Sequence, residues 1–156
     1  MRVLPQDVRL WEAKHLRAAS MTGLGNTLST FPNFAAYFAV GAALTALFVV
    51  LYSNMTPHRE IALIRGGNVA AAIALSSALV GFMLPLASVV AHSAGIIDLA
   101  VWGTVALAVQ LGGFIVTRLV LPGLPHSIEA GNAASATLLA GVSLSLGLLN
   151  AACMSG

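Results

Sequence analysis

The sequence predicts an all-α membrane protein with four transmembrane helices arranged as two parallel helical-hairpin repeats. Three observations lead to this prediction. Of the 156 residues 58% are hydrophobic and only 8% are charged, whereas soluble domains carry about 25% charged residues. Four apolar stretches are each long enough to cross a bilayer. The dipeptide Gly67-Asn68, with its apolar surroundings, recurs as Gly131-Asn132.

The first 33 residues differ in composition from the rest of the chain. Leu4, Val8 and Trp11 recur at helical spacing opposite charged side chains, which predicts an amphipathic helix lying on lipid headgroups. Residues 22–33, TGLGNTLSTFPN, predict a loop because Gly, Asn and Pro favour turns. We therefore assign residues 1–33 to an N-terminal amphipathic segment and loop.

The remaining residues divide into two repeats of two spans each. A helix rises about 1.5 Å per residue, so about 20 apolar residues cross the hydrocarbon. The first repeat, 34–92, contains spans over about 34–53 and 68–91, and the second repeat, 93–156, contains spans over about 96–120 and 132–153. None of them shows the alternating pattern of a β-barrel strand.

The linker between the first two spans has two interpretations. One starts the second span at Pro57 and bends it at Gly66-Gly67. The other places a brief surface helix before the two glycines and lets Asn68 cap the span. We prefer the second, because an asparagine side chain accepts hydrogen bonds from the first amide groups of a helix.

Each repeat holds two spans, so both Gly-Asn turns face the same compartment, as in parallel repeats. A Pro-His pair and a glutamate precede each turn: Pro57-His58 with Glu60, and Pro125-His126 with Glu129. Basic residues close to the spans favour cytoplasmic turns and outer termini. Counting the four basic residues of the N-terminal segment as well reverses this orientation, so both remain open.

Four carboxamides stand out in and beside the spans. They are Asn68, Asn132, Gln110 and Asn150. One interpretation is a polar path for an ion or small solute. The other is a set of interhelical hydrogen bonds, each contributing about 0.6 kcal/mol.

The turns carry candidate contacts for a partner at the cytoplasmic surface. They are His58, Arg59, Glu60, Arg65 and Glu129. The two turn histidines with the two glutamates are a weak metal-ligand set, and we expect no metal or cofactor. The net charge of +2 comes from the N-terminal segment, so we expect no nucleic-acid partner. No nucleophile–base pair is visible, and we expect no enzymatic activity.

Three segments resemble the bacterial inner-membrane proteins of the YjfL type. They are TPHREIALIRGGNVAAAIALSSALVGFMLPLAS, DLAVWGTVALAVQL and IEAGNAASATLLAGVSLSLGLLNAACM, within about residues 34–154. The resemblance implies a small four-span protein of the inner membrane, with no assigned activity and no catalytic residues. Relatives of this type are encoded near envelope-stress proteins, which implies membrane maintenance and an envelope-stress partner.

Small residues recur at four-residue spacing in the second and fourth spans, which favours close helix packing and a homo-oligomer in the lipid bilayer. They are Ala70, Ala74 and Ala78, and Ser143, Gly147 and Ala151. The sequence thus predicts a non-enzymatic oligomeric membrane component linked to envelope maintenance. The alternative is a small oligomeric channel or transporter.

Overall fold

The structure is a computed structural model that describes residues 6–56 and 60–155, with side chains for 29–56 and 60–155. Every regular element in these residues is an α-helix, which confirms the predicted fold class. The helices are α1 (Gln6–Met55), α2 (Glu60–Arg65), α3 (Val69–His92), α4 (Ile96–Val120), α5 (Leu124–Glu129) and α6 (Ala133–Cys153).

Four helical segments in the described residues are long and apolar enough to cross a membrane. They are Ser29–Met55 of α1 and the whole of α3, α4 and α6. Backbone amides in hydrocarbon must be hydrogen-bonded within the protein, which a continuous helix achieves. The protein is therefore an integral membrane protein with four spans.

The predicted loop over residues 22–33 is wrong. Helix α1 runs without a break through these residues, with Pro32 inside it. Pro32 lies within the apolar segment Ser29–Met55, and membrane helices tolerate proline because the alternative is an unsatisfied backbone in lipid. The predicted amphipathic face lies on residues 4–17, whose side chains are outside the described set.

The chain divides at residue 36 into two units. In the first unit, whose described part is the beginning of α1, the rings of Phe31 and Phe34 lie 6.2 Å apart. The second unit, residues 37–156, contains the end of α1 and all the other helices. Its most buried span is α3, which packs chiefly against α6 and also against α4.

Aromatic rings join α1 to its neighbours in the second unit. The Phe48 ring stacks on Phe82 of α3 with centroids 4.6 Å apart. Tyr52, one turn later, lies 4.8 Å from the Phe114 ring of α4. Tyr52 is almost fully buried, so its ring packs between helices.

Helices α3 and α6 meet backbone to backbone at two glycines. A Cβ atom on Gly147 would overlap the Gly81 carbonyl group, and a Cβ on Gly81 would lie 2.5 Å from the Ser143 carbonyl oxygen. Pro85 lacks the amide that would bond to the Gly81 carbonyl inside α3. The glycine contact between α3 and α6 therefore lies at a carbonyl group of α3 that has no helical donor.

The first Gly-Asn turn ends α2 and starts α3. Gly67 has a φ of 86°, a left-handed conformation that suits glycine. Its amide and that of Asn68 donate to the carbonyl oxygens of Ile64 and Leu63, both at 3.0 Å. The Asn68 side chain then accepts from the Ala71 amide as the N-cap of α3. The predicted surface helix and asparagine cap are confirmed.

The second turn has the same local geometry, 64 positions later. Gly131 has a φ of 83°, and the amides of Gly131 and Asn132 donate at 2.9 Å to Ile128 and Ser127. Asn132 caps α6 through the amides of Ala134 and Ser135. This equivalence agrees with a duplicated unit, and the arrangement as two parallel hairpins stays a prediction.

Candidate functional site

Among the described residues, the structure places the carboxyl group of Glu60 inside the bundle at the Gly-Asn end, the end that carries both Gly-Asn turns. Glu60, the first residue of α2, is only 4% exposed. Its Oε2 atom has no hydrogen-bond partner, and neither has the buried Tyr52 hydroxyl nearby. The interpretation of Glu60 as a surface contact for a partner is therefore wrong, because its carboxyl group faces the helices.

The Glu60 carboxyl borders a cavity of about 10 Å³, which is at the lower limit for one water molecule. Polar groups line one part of it, from Thr56 and Arg118. The rest is apolar, with contributions from Phe114, Leu124, Pro125, Ile128 and Leu139. The Arg118 guanidinium donates to the Met55 carbonyl at 2.7 Å.

Burial in this apolar setting raises the pKa of Glu60 to about 7. Glu60 lies outside the four spans. A carboxyl group with this pKa gains and loses a proton near neutral pH. The chemistry that the site can perform is therefore reversible protonation at one end of the bundle.

The second repeat fills the same place with a hydrocarbon side chain. Counting from the two Gly-Asn turns, Glu60 corresponds to Leu124, the first residue of α5, and both are buried. Glu129 corresponds instead to Arg65. Glu60 and Glu129, which both precede a Gly-Asn turn in the sequence, therefore do not occupy equivalent positions in the two repeats. The 64-residue repeat places Glu60 at the position of the apolar Leu124. This alignment could have indicated from the sequence that the Glu60 side chain is buried.

The two turn asparagines, Asn68 and Asn132, stabilise helix starts at the Gly-Asn end. Both accept hydrogen bonds from the first amides of a span. Asn68 also donates through Nδ2 to the carbonyl oxygens of Ile128 at 3.1 Å and Glu129 at 2.9 Å. It therefore joins the start of α3 to the end of α5, whereas Asn132 is exposed and makes its described bonds within α6.

The two buried carboxamides within the spans lie far from each other. Gln110 donates through Nε2 to the Ser143 carbonyl oxygen at 3.2 Å, an interhelical bond. Asn150 lies on the same α6 face, about 10 Å further along the helix from Ser143. The Gln110 Oε1 and Asn150 Nδ2 atoms lack partners. The closely packed Gly147 lies between them on α6, so these side chains do not form one cluster.

The remaining candidate turn residues fall into two groups. His58 and Arg59 lie outside the described residues. Arg65 and Glu129 are exposed, and the Glu129 carboxylate lies 3.3 Å from the His126 imidazole. Within the described residues, no three metal-ligating side chains come together.

A second cavity, of about 310 Å³, lies at the opposite end of the bundle from the turns. It is lined by Val89, His92, Ser93, Asp98, Trp102, Cys153 and Met154. The Asp98 carboxylate accepts from the Ala94 amide at 3.0 Å, just before α4 begins. The His92 ring lies 2.8 Å from the Ser88 carbonyl oxygen. The polar groups of this cavity thus serve the helix ends.

These features define a small multi-pass membrane protein. In it, the order of a short helix, a Gly-Asn turn and a membrane span occurs twice. The model of the family described as Domain of Unknown Function (DUF350) matches residues 26–154, and the chain belongs to this family. The chain is 40% identical over 121 residues to UPF0719 inner membrane protein YjfL of Escherichia coli strain K12. It is equally similar to the protein of that name in Escherichia coli O157:H7.

Both matches cover 78% of this chain and 92% of the relative. No solved structure matches. The resemblance to the YjfL type and the location in the bacterial inner membrane, both expected from the sequence, are confirmed.

Proposed function

We propose that this protein is a non-enzymatic component of the inner membrane that works as a homo-oligomer in envelope maintenance. The observation that supports a packing role, as opposed to conduction, is the backbone contact between Gly81 of α3 and Gly147 of α6. Helices that touch at this distance leave no lumen between them, so the centre of the second unit is suited to packing and not to conduction.

The polar residues support the same proposal. The two asparagines hold helix starts in place, and Gln110 bonds to the backbone of a neighbouring span. Interhelical hydrogen bonds of this kind stabilise a membrane bundle. The exposed Arg65 and His126 side chains at the Gly-Asn end are suited to an acidic surface of an envelope-stress partner. We place this end in the cytoplasm, following the basic residues close to the spans.

Purified protein in liposomes tests the absence of transport. Dyes inside the vesicles report H⁺, K⁺ and small-solute flux, with empty vesicles as the control. We expect flux at the level of the empty vesicles. Flux well above that level contradicts a packing role.

A deletion in the native host tests the role in the envelope. We expect higher activity of an envelope-stress reporter and greater leakage under osmotic challenge, both restored by the wild-type gene. A deletion strain that matches its parent in both assays contradicts the role in maintenance.

The buried Glu60 favours a second candidate, a small oligomeric channel or transporter that responds to protons. A carboxyl group with a pKa of about 7 at the end of the bundle is suited to couple protonation to the movement of an ion or solute. This candidate requires flux that changes between pH 6 and 8 and disappears in Glu60→Gln, but survives in Glu129→Gln. Flux that is the same in both variants contradicts it.

A further inference from the structure

The cavity of about 310 Å³ lies where three spans end, at the opposite end of the bundle from the Gly-Asn turns. Helices α3 and α6 end beside it at His92 and Cys153, and α4 begins beside it at Ile96. Its volume is at the lower end of the range for small-molecule sites, which is about 300–1,000 Å³. Because its walls are the ends of membrane spans, the cavity lies at the level of lipid headgroups.

The charge distribution makes this cavity attractive to a cation. Among the side chains that the structure describes, Asp98 is the only Asp, Glu, Lys or Arg at this end of the bundle. The others lie at the Gly-Asn end and are Glu60, Arg65, Arg118 and Glu129. The carboxyl ends of α3 and α6 add partial negative charge, opposed only by the amino end of α4.

Two side chains of α4 present groups that bind cations. Asp98 accepts one described hydrogen bond, from the Ala94 amide at 3.0 Å, and a carboxylate has further acceptor positions. Trp102 lies one turn later on the same side of α4, and its side chain is 49% exposed. The face of an indole ring attracts an ammonium group. Both residues line the cavity.

His92 supplies a third acceptor from the end of α3. Its Nδ1 atom lies 2.8 Å from the Ser88 carbonyl oxygen. A carbonyl oxygen only accepts, so Nδ1 donates and a neutral ring presents Nε2 as an acceptor. The lining therefore holds a carboxylate oxygen, an imidazole nitrogen and an indole face. A primary ammonium group has three N–H donors, one for each of these acceptors.

We propose that this cavity binds the headgroup of a phospholipid that ends in a primary ammonium group. The ammonium group pairs with the Asp98 carboxylate and donates to His92 Nε2, with the Trp102 ring beside it. Val89 and Met154 of the lining contact the carbon atoms of the headgroup. The source is lipid because the cavity lies at the ends of spans, where headgroups are concentrated. The site goes beyond the proposed packing role and does not depend on it.

Native mass spectrometry of the purified protein tests the selectivity of the site. The protein in detergent is mixed with equal amounts of palmitoyl-oleoyl phosphatidylethanolamine and phosphatidylcholine. The two lipids differ in the headgroup, where methyl groups replace the three N–H donors. We expect about tenfold more adduct with phosphatidylethanolamine, because charge-assisted hydrogen bonds are strong. Equal amounts of the two adducts overturn the proposal.

A charge-removing substitution tests the assignment to this cavity. Asp98→Asn keeps an oxygen that accepts from the Ala94 amide but removes the charge. Glu129→Gln makes the same change at the other end of the bundle and is the control. We expect Asp98→Asn to lose the preference for phosphatidylethanolamine while its melting temperature stays that of the wild type. An unchanged preference in Asp98→Asn overturns the site.

The same assay distinguishes two other sources of a cation. Free phosphoethanolamine at the concentration of the lipid is expected to leave the adduct in place, and its displacement of the adduct contradicts a lipid headgroup. The basic N-terminal segment is tested with the double variant Lys14→Gln and Arg17→Gln. A preference for phosphatidylethanolamine that appears only in this variant shows that the chain itself occupies the cavity, and it overturns the proposal.

Fluorescence quenching tests the site in a membrane. Trp11→Phe leaves Trp102 as the single tryptophan of the chain. This variant is placed in phosphatidylcholine vesicles with an equal fraction of brominated phosphatidylethanolamine or brominated phosphatidylcholine. We expect stronger quenching of Trp102 by the brominated phosphatidylethanolamine, and the difference is expected to disappear when Asp98→Asn is added. Equal quenching by the two brominated lipids overturns the proposal.

Discussion

The two repeats share a turn but differ in what surrounds it. Both have a glycine with positive φ followed by an asparagine that caps a span. The first repeat buries a carboxyl group where the second buries leucine, and it buries the α3 face whose equivalent on α6 is open. The two repeats therefore share the local geometry of the turn and differ in how the rest of the bundle packs around it.

The largest effect on stability is expected from Glu60→Leu, which gives the first repeat the leucine that the second repeat has at the equivalent position. Folded Glu60 binds its proton more tightly than the unfolded chain, with a pKa of about 7 against 4.5. Stability is therefore fully present below pH 4.5 and falls as the pH rises to about 7. The difference between the two pKa values corresponds to about 3 kcal/mol.

Glu60→Leu removes this dependence, so the variant is more stable than the wild type at pH 8 by up to about 3 kcal/mol. Unfolding in detergent micelles at pH 4.5, 6 and 8 measures the effect. Glu129→Leu, at the surface of the same end, serves as the control and retains the wild-type slope. A wild-type protein whose stability does not change over this range contradicts the burial of an ionisable Glu60.

The next effect concerns the contact that joins the repeats. Gly147→Ala places a methyl group on the Gly81 carbonyl, which has no room to move. Overpacking of this kind costs about 1–3 kcal/mol. We expect a lower melting temperature in detergent. Gly112→Ala, where a Cβ meets no atom within 4 Å, is expected to retain or raise it.

A smaller effect separates the two asparagines. Asn68→Ala removes the N-cap of α3 and two hydrogen bonds to the end of α5. Asn132→Ala removes the N-cap of α6. We expect losses of about 2 and about 1 kcal/mol in monomeric detergent-solubilised protein. Equal losses contradict a stabilising role for the bonds from Asn68 to the end of α5.

The smallest effect is expected to be the same in both repeats. Gly67→Ala and Gly131→Ala force a side chain into a left-handed conformation, at a cost of about 1 kcal/mol each. Gly123→Ala, in the same linker as Gly131, has a φ of −79° and open space around it, so it is the matched control. Losses that differ widely between the two turns contradict their equivalence.

The spans, their caps and the short helix before Asn68 could be predicted because they depend on local sequence. Length and apolar composition define a span, and Gly-Asn defines the end of one helix and the start of the next. The helical state of residues 22–33 was missed because glycine, asparagine and proline were interpreted as turn residues. For Pro32, which lies in the apolar segment Ser29–Met55, a bilayer changes that judgement, since unsatisfied amides cost more there.

The inward position of Glu60 and the pairing of α3 with α6 could not be predicted in the same way. A span that is apolar on all sides gives no periodic signal of which face meets protein and which meets lipid. Gln110 was recognised as a residue that needs a partner, but its bond to the Ser143 carbonyl depends on how the helices cross. Such contacts are properties of the packed bundle.

The most direct test of a bundle that is packed at the Gly81–Gly147 contact is a structure of the protein in lipid nanodiscs at side-chain resolution. We predict that the Gly147 backbone lies against the Gly81 carbonyl group and that the Glu60 side chain is buried at the Gly-Asn end. A water-filled space between α3 and α6 at these two glycines, or a Glu60 side chain in solvent, would contradict it.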